Sequence, residues 1–227
     1  MSLATASLER RLRETFIAWV TILTVGAGWA LWVGDADGSH LVTNLPWVRD
    51  HHALLEWSTN YIMDGFYVIF LGLLAYSWRT RRPRLKTVAL GYLLAQLLGS
   101  ILLVRVLKIS LGRARPDEGA LAGQWFGPSS HSAFHSFPSG HTTDLFTSAI
   151  FLALLLPPRG LRLAGLGIAI YIGFTRLALA QHFPSDVMAG ALIGGSVSFL
   201  VAYYWVLPRE RVLDDATPQP NLASRAE

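Results

Sequence analysis

Three groups of residues carry side chains that could hold and transfer a phosphoryl group. Lys108 is followed seven residues later by Arg115 and then Pro116. Pro138, Ser139, Gly140 and His141 run consecutively. Arg176, His182 and Asp186 close the set, with Thr175 just ahead of them. A guanidinium can grip two phosphate oxygens at once, and an ammonium adds a point charge. Seven residues are about two helical turns, so Lys108 and Arg115 share a face if the helix runs on to Pro116. Ser139 is a suitable helix N-cap, and Gly140 lets backbone come close to a ligand. The helix start behind them offers unpaired N–H groups to an anion. His141 stands there and could pass a proton to a leaving oxygen. Asp186, four residues after His182, could orient that imidazole as an activated nucleophile.

Each group alone also has an ordinary reading. Lys108 could snorkel to a membrane interface with Arg115 as a solvated loop charge. His141 could be an exposed residue at a plain helix cap. His182 and Asp186 could simply bond to each other in a polar turn.

The elements that must position these residues are apolar. The 227-residue chain is 52% hydrophobic and 15% charged, with a mean hydropathy of +0.39. Soluble domains carry about 25% charged residues, so lipid is the expected solvent for much of this surface. Net charge is +4 and the pI about 9.7. The basic residues gather at the ends of apolar runs, which fits topology and anionic lipid and argues against nucleic acid as a partner. There is no Cys, which excludes disulfides and thiolate metal sites.

A spanning helix needs about 20 apolar residues. Six stretches qualify as candidates: Phe16–Val33, Tyr61–Trp78, Val88–Leu107, the short Thr142–Leu156, Leu161–Ala180 and Val187–Leu207. The first lacks a cleavage site and is expected to be retained. The fold class expected is all-α, a six-span membrane bundle forming one domain over residues 1–210. A polar tail over 211–227 is expected to be disordered.

Arg10, Arg11 and Arg13, then Arg79 to Lys86, then Arg159 and Arg162, then Arg209 and Arg211 all fall on one side of such a bundle. The positive-inside rule makes that side cytoplasmic, with both termini. Lys108, Arg113 and Arg115 break the rule by lying opposite, and anion binding would account for them. All three motif groups then reach the same external face. Together they suit a phosphate monoester or diphosphate, and neither a metal nor any other cofactor is required.

The motifs resemble those of the type 2 phosphatidic acid phosphatase (PAP2) superfamily, which also holds vanadium haloperoxidases and bacterial acid phosphatases. The family pattern is Lys-x6-Arg-Pro, Pro-Ser-Gly-His and Ser-Arg-x5-His-x3-Asp. It matches here at Lys108, Arg115 and Pro116, at Pro138 to His141, and at Arg176, His182 and Asp186, with Thr175 replacing Ser. The resemblance implies a phosphohistidine on His182, oriented by Asp186, with His141 as acid and then base. It also implies phosphoryl contacts from Lys108, Arg115, Ser139, Gly140 and Arg176. The implied substrate is a phosphorylated membrane lipid in a bacterial plasma membrane: undecaprenyl diphosphate, lipid A 1-phosphate, phosphatidylglycerophosphate or phosphatidic acid. A phosphotransferase sharing the first half-reaction and a non-catalytic lipid-binding or transport protein are the alternatives. His131 and His135 read as loop residues or head-group contacts, Asp144 as a tuner of His141 or a bundle hydrogen bond, and His51 and His52 as solvent-facing.

Overall fold

The computed structural model describes residues 3–216, and among them every regular element is helical. Helix α1 covers Leu3–Val33, followed by two short helices, α2 (Asp35–Thr43) and α3 (Pro46–Asp50). Helix α4 covers His52–Arg79. Helix α5 (Pro83–Gln96) continues without a break through a π-helical segment, Leu97–Val104, into α6 (Arg105–Leu111). Then come α7 (Gly140–Leu155), α8 (Arg159–Ala178) and α9 (Pro184–Val201). A second π-helical segment, Ala202–Val206, leads from α9 into α10 (Leu207–Asp215).

Among the described residues, five helices are long and apolar enough to cross a membrane: Thr5–Val33, His52–Arg79, Pro83–Leu111, Arg159–Ala178 and Pro184–Asp215. They match five of the six expected spans. The sixth, expected over Thr142–Leu156, is α7, whose 16 residues reach about 24 Å at 1.5 Å per residue. It is enclosed rather than lipid-facing: Leu145, Phe146, Ile150, Phe151 and Leu154 are buried, and it packs most extensively against α8 and α9. Leu31, Trp32, Val25 and Val68, in contrast, are at least two-thirds exposed. An apolar exterior around an apolar core is what a bilayer solvent selects.

Close approach of α7 and α9 depends on small residues. A Cβ on Gly190 would lie 2.4 Å from the Ser139 carbonyl oxygen, and one on Gly194 the same distance from that of Thr143. Into this narrow seam Thr143 Oγ1 donates to the Gly190 carbonyl (3.2 Å) and Thr147 Oγ1 to that of Gly194 (3.4 Å). Small residues at spacing four, with hydroxyl bonds across the seam, are the usual means of holding helices together in lipid. Trp19 of α1 donates from Nε1 to the Ala191 carbonyl (3.0 Å), fastening α1 to the same helix.

Three boundaries differ from the sequence expectation. Helix α4 starts at His52, nine residues before Tyr61, so His52 is helical rather than in a loop. The helix bearing Lys108 ends at Leu111, not at Pro116. Gly112 adopts φ +56° and caps it, and a Cβ there would fall 1.9 Å from the Gly127 carbonyl oxygen. Lys108 and Arg115 therefore do not share a helical face. At the C-terminus, helix continues to Asp215 instead of giving way to disorder at 211. Arg211 pairs with Glu9 (2.9 Å), and Arg84 pairs with Glu210 (3.6 Å) and Asp214, tying α10 to α1 and α5. Residues 217–227 of the expected tail lie outside the described residues.

Candidate active site

The site forms where α6 ends, α7 starts, and α8 turns into α9. Residues 112–139 fold over this end of the bundle as an irregular cap with two single turns of 3₁₀ helix, Gly119–Leu121 and Ser132–Phe134. Arg113 anchors the cap through isolated bridges to Trp125 and His135.

His182 lies in the short connection between α8 and α9 and is 2% exposed. Its Nδ1 is 2.6 Å from the Ser136 carbonyl oxygen. A carbonyl can only accept, so Nδ1 carries the proton and Nε2 keeps its lone pair. Burial lowers the His182 pKa to about 4, and Lys108 and Arg176 push the same way, whereas Asp186 opposes the shift. The imidazole is thus neutral at ordinary pH.

Asp186 Oδ2 is 3.8 Å from His182 Nδ1, beyond a hydrogen bond. Asp186 acts on His182 indirectly, through the frame around it. Oδ2 accepts from Ser136 Oγ (2.5 Å), next to the carbonyl that holds the imidazole. It also accepts from the Phe183 N–H (2.8 Å), capping α9, which starts at Pro184. Oδ1 accepts from Arg113 Nη1 (2.5 Å).

Arg113 is the residue the motifs do not mark. Only 6% exposed, it bridges Asp186 and Asp35, with Nη2 at 2.7 Å from the Asp35 carboxylate, and its Nη1 also reaches Ser185 Oγ at 2.8 Å. Its guanidinium lies over the Phe183 ring, 4.3 Å from the centroid. Asp35 in turn accepts from Ser185 N–H and Oγ, which locks α2 to the start of α9. A charge opposing the positive-inside pattern was the one sequence signal for Arg113. Nothing local identifies Asp35 or Ser136.

The remaining predicted residues gather around this frame. Lys108 Nζ donates to the His135 carbonyl (2.6 Å). Arg115 Nη1 donates to Gln181 Oε1, while its Nε is buried without a partner. Arg176 is 7% exposed, its Nε is also unpartnered, and its guanidinium makes no hydrogen bond among the described residues. Ser139 Oγ accepts from the Thr142 hydroxyl (2.9 Å) and the Thr142 N–H (3.5 Å), so it is the α7 cap. This hydroxyl is buried at 0% exposure. Gly140 opens α7, and a Cβ there would meet only Lys108 and Val104 at 3.9 Å. His141 lies within electrostatic reach of Arg176, His182, Lys108 and Arg115. His141, Arg176 and Gln181 line one cleft of about 280 Å³, together with His52, Glu56, Thr59, Asn60 and Leu179. His52 therefore borders the site.

Four residues belong to the scaffold. Thr175 Oγ1 donates to the Ile172 carbonyl (2.7 Å). Asp144 accepts from the Ser100 hydroxyl inside the bundle. His135 holds the Ser129 carbonyl through Nε2 (2.9 Å), and His131 Nδ1 accepts from the Ala133 N–H (3.4 Å), both within the cap. Among the described residues no three His, Asp or Glu side chains converge as metal ligands.

Comparison with known proteins places this arrangement. A lipid A 1-phosphatase from Rhizobium etli is 44% identical over 114 residues, 49% of this chain and 48% of its own. An undecaprenyl-diphosphatase from Sulfolobus acidocaldarius is 28% identical over 149 residues, 66% of this chain and 68% of its own. The chain spans about half the length of the lipid A 1-phosphatases it matches. The crystal structure of Aquifex aeolicus LpxE superposes with a TM-score of 0.53 at 25% identity, covering 75% of this chain and 95% of that one. A Bacillus subtilis PAP2-type phosphatidylglycerolphosphate phosphatase shares the fold over 92% of this chain, with a TM-score of 0.50 at 20% identity. The PAP2 superfamily profile matches residues 88–210, a stretch that starts in α5, ends in α10 and contains every motif residue described above, and the chain belongs to that superfamily.

Proposed function

We propose that this protein is a membrane lipid phosphatase that removes a phosphoryl group from a phosphate monoester or diphosphate on a lipid. One observation carries the reading. Arg176 is buried beside His141 in the cleft, its Nε is unpartnered, and its guanidinium has no hydrogen bond or ion pair among the described residues. A buried charge without a partner is costly, and a phosphoryl group supplies the missing acceptors.

Before substrate binds, His141 is neutral as well, because burial and then the nearby Arg176, His182, Lys108 and Arg115 lower its pKa to about 3. The negative charge of a bound phosphoryl group favours its protonation. The Nε2 lone pair of neutral His182 attacks phosphorus, a P–N bond forms, and the P–O bond to the lipid breaks. The leaving oxygen takes its proton from His141 acting as general acid. Charge on the phosphoryl oxygens is met by Lys108, Arg115 and Arg176, with the Ser139 cap presenting the Gly140 N–H at the start of α7. His141, now neutral, takes a proton from water as that water attacks phosphorus. The P–N bond breaks, and phosphate leaves.

The positive-inside pattern supports an external site with both termini cytoplasmic. The names of the relatives support a lipid substrate in a bacterial membrane. The test is phosphate release from lipid A 1-phosphate, undecaprenyl diphosphate, phosphatidylglycerophosphate and phosphatidic acid in detergent with EDTA. Release from at least one lipid by the wild type, reduced by several orders of magnitude in His182→Ala, is the expected result. Near-normal release by His182→Ala would overturn the proposal.

A further inference from the structure

The cleft has a second wall that the phosphoryl chemistry leaves unused. His52, Glu56 and Asn60 recur every four residues and so share one face of α4. With Thr59 they line the same cleft as His141 and Arg176. Thr59 is 1% exposed, yet its hydroxyl has no hydrogen-bond partner among the described residues. Thr15 in α1 is left the same way but lies away from this cleft, whereas Thr21 and Thr24 each donate to the carbonyl four residues back. A buried hydroxyl facing a cleft without a partner is costly unless a ligand meets it. The cleft thus has a cationic side with an unpartnered guanidinium and a side made of a carboxylate, an amide and an unpartnered hydroxyl.

From this wall we propose that the cleft takes the hydroxyl-bearing group to which the phosphate is attached, a sugar or a glycerol unit, and that Glu56, Thr59 and Asn60 select it. This assignment rests on the phosphatase reading above. Glu56 accepts from hydroxyls, Asn60 both donates and accepts, and Thr59 does either. None of the three suits a second phosphate, which would meet the Glu56 carboxylate. A cleft of about 280 Å³ is just below the size of sites that take drug-sized ligands. It suits a phosphate with one polyol unit, leaving the acyl chains in the bilayer.

The test uses the full chain in mixed micelles with four substrates: lipid A 1-phosphate, phosphatidylglycerophosphate, dodecyl phosphate and undecaprenyl diphosphate. Wild type is expected to favour one of the first two over dodecyl phosphate by at least about tenfold in kcat/KM. The favoured lipid tells sugar from glycerol. Glu56→Gln and Thr59→Val should each shrink that preference about tenfold, mainly through KM. Thr59→Ser should restore it, and Glu56→Gln should raise undecaprenyl diphosphate turnover relative to the favoured lipid. Thr59→Val removes an unpartnered hydroxyl at nearly constant shape, so its thermal midpoint should not fall. Lost selectivity at an unchanged midpoint is therefore not a folding defect. Equal kcat/KM for polyol-linked and dodecyl phosphates in wild type, or unchanged selectivity in both variants, would overturn the assignment and leave the phosphatase reading standing. Absence of phosphate from all four lipids would overturn the phosphatase reading itself, and this assignment with it.

Discussion

The Ser136 carbonyl and the Arg113 guanidinium decide how His182 is presented. The carbonyl fixes the proton on Nδ1, and the guanidinium holds Asp186, which in turn holds Ser136. Replacing Arg113 with Ala would leave Asp186 buried and uncompensated, a loss of about 3–5 kcal/mol. Arg113→Lys keeps the charge but cannot span Asp35 and Asp186 with a planar fork. We expect Arg113→Lys to lower kcat about 10- to 100-fold with KM less changed. Steady-state kinetics beside a thermal melt would separate this from unfolding. A normal kcat would remove Arg113 from the positioning frame.

The same buried imidazole sets a pH dependence. Its folded pKa of about 4 lies below the ordinary 6.5. Between those values the unfolded chain binds a proton that the folded chain refuses, so stability falls as pH drops through this window. Below about pH 4 the loss is complete. His182→Asn should lose less stability than wild type between pH 7 and pH 4.5, measured as the midpoint shift in detergent. Activity should keep a neutral nucleophile down to about pH 5 and fail as pH crosses 4. A single acid limb near pH 6.5 assigned to His182 would contradict this.

At the scale of the elements, the start of α7 is held in place by α9. The Ser139 N–H donates to the Asp186 carbonyl (3.0 Å), and Gly190 lets the two backbones meet. Gly190→Ala would drive a methyl into the Ser139 carbonyl and shift the cap beside His141. Gly167→Ala, on α8 with open space around it, is the matched control. Gly190→Ala should cost at least tenfold in activity and about 1–3 kcal/mol in stability, and Gly167→Ala should cost neither. Equal behaviour of the two would show that the seam does not position the site.

Motif spacing made Lys108, Arg115, Ser139, Gly140, His141, Arg176, His182 and Asp186 legible in the sequence, and hydropathy made five long helices legible. The boundaries were less so. Gly112 ends its helix because the chain must pass the Gly127 carbonyl, a contact with a residue fifteen positions on that no local pattern reveals. His52 joins α4 although Glu56, Ser58, Thr59 and Asn60 interrupt the apolar run by which hydropathy marks the span. The Arg113 bridge pairs residues 73 and 78 positions apart, and such pairings exist only once the bundle is assembled.

At the scale of the whole molecule, an arginine-rich end and the end bearing the candidate site lie at opposite ends of the bundle. Arg84, Arg162 and Arg211 pair with Glu210, Glu14 and Glu9 at the first of these. The absence of Cys makes orientation directly measurable. Single cysteines at position 81 and at position 130 should label from opposite sides, position 130 from outside in intact cells. Labelling of both from the same side would refute the topology.

The central claim is a covalent phosphoryl group on His182. The most direct measurement is an alkaline quench of the protein within its first turnover on lipid substrate, followed by peptide mass spectrometry. The account predicts one added phosphoryl group on the peptide containing His182, absent in His182→Ala and accumulating in His141→Ala if water attack is slowed. Rapid phosphate release with no phosphorylated His182 at any quench time would contradict it.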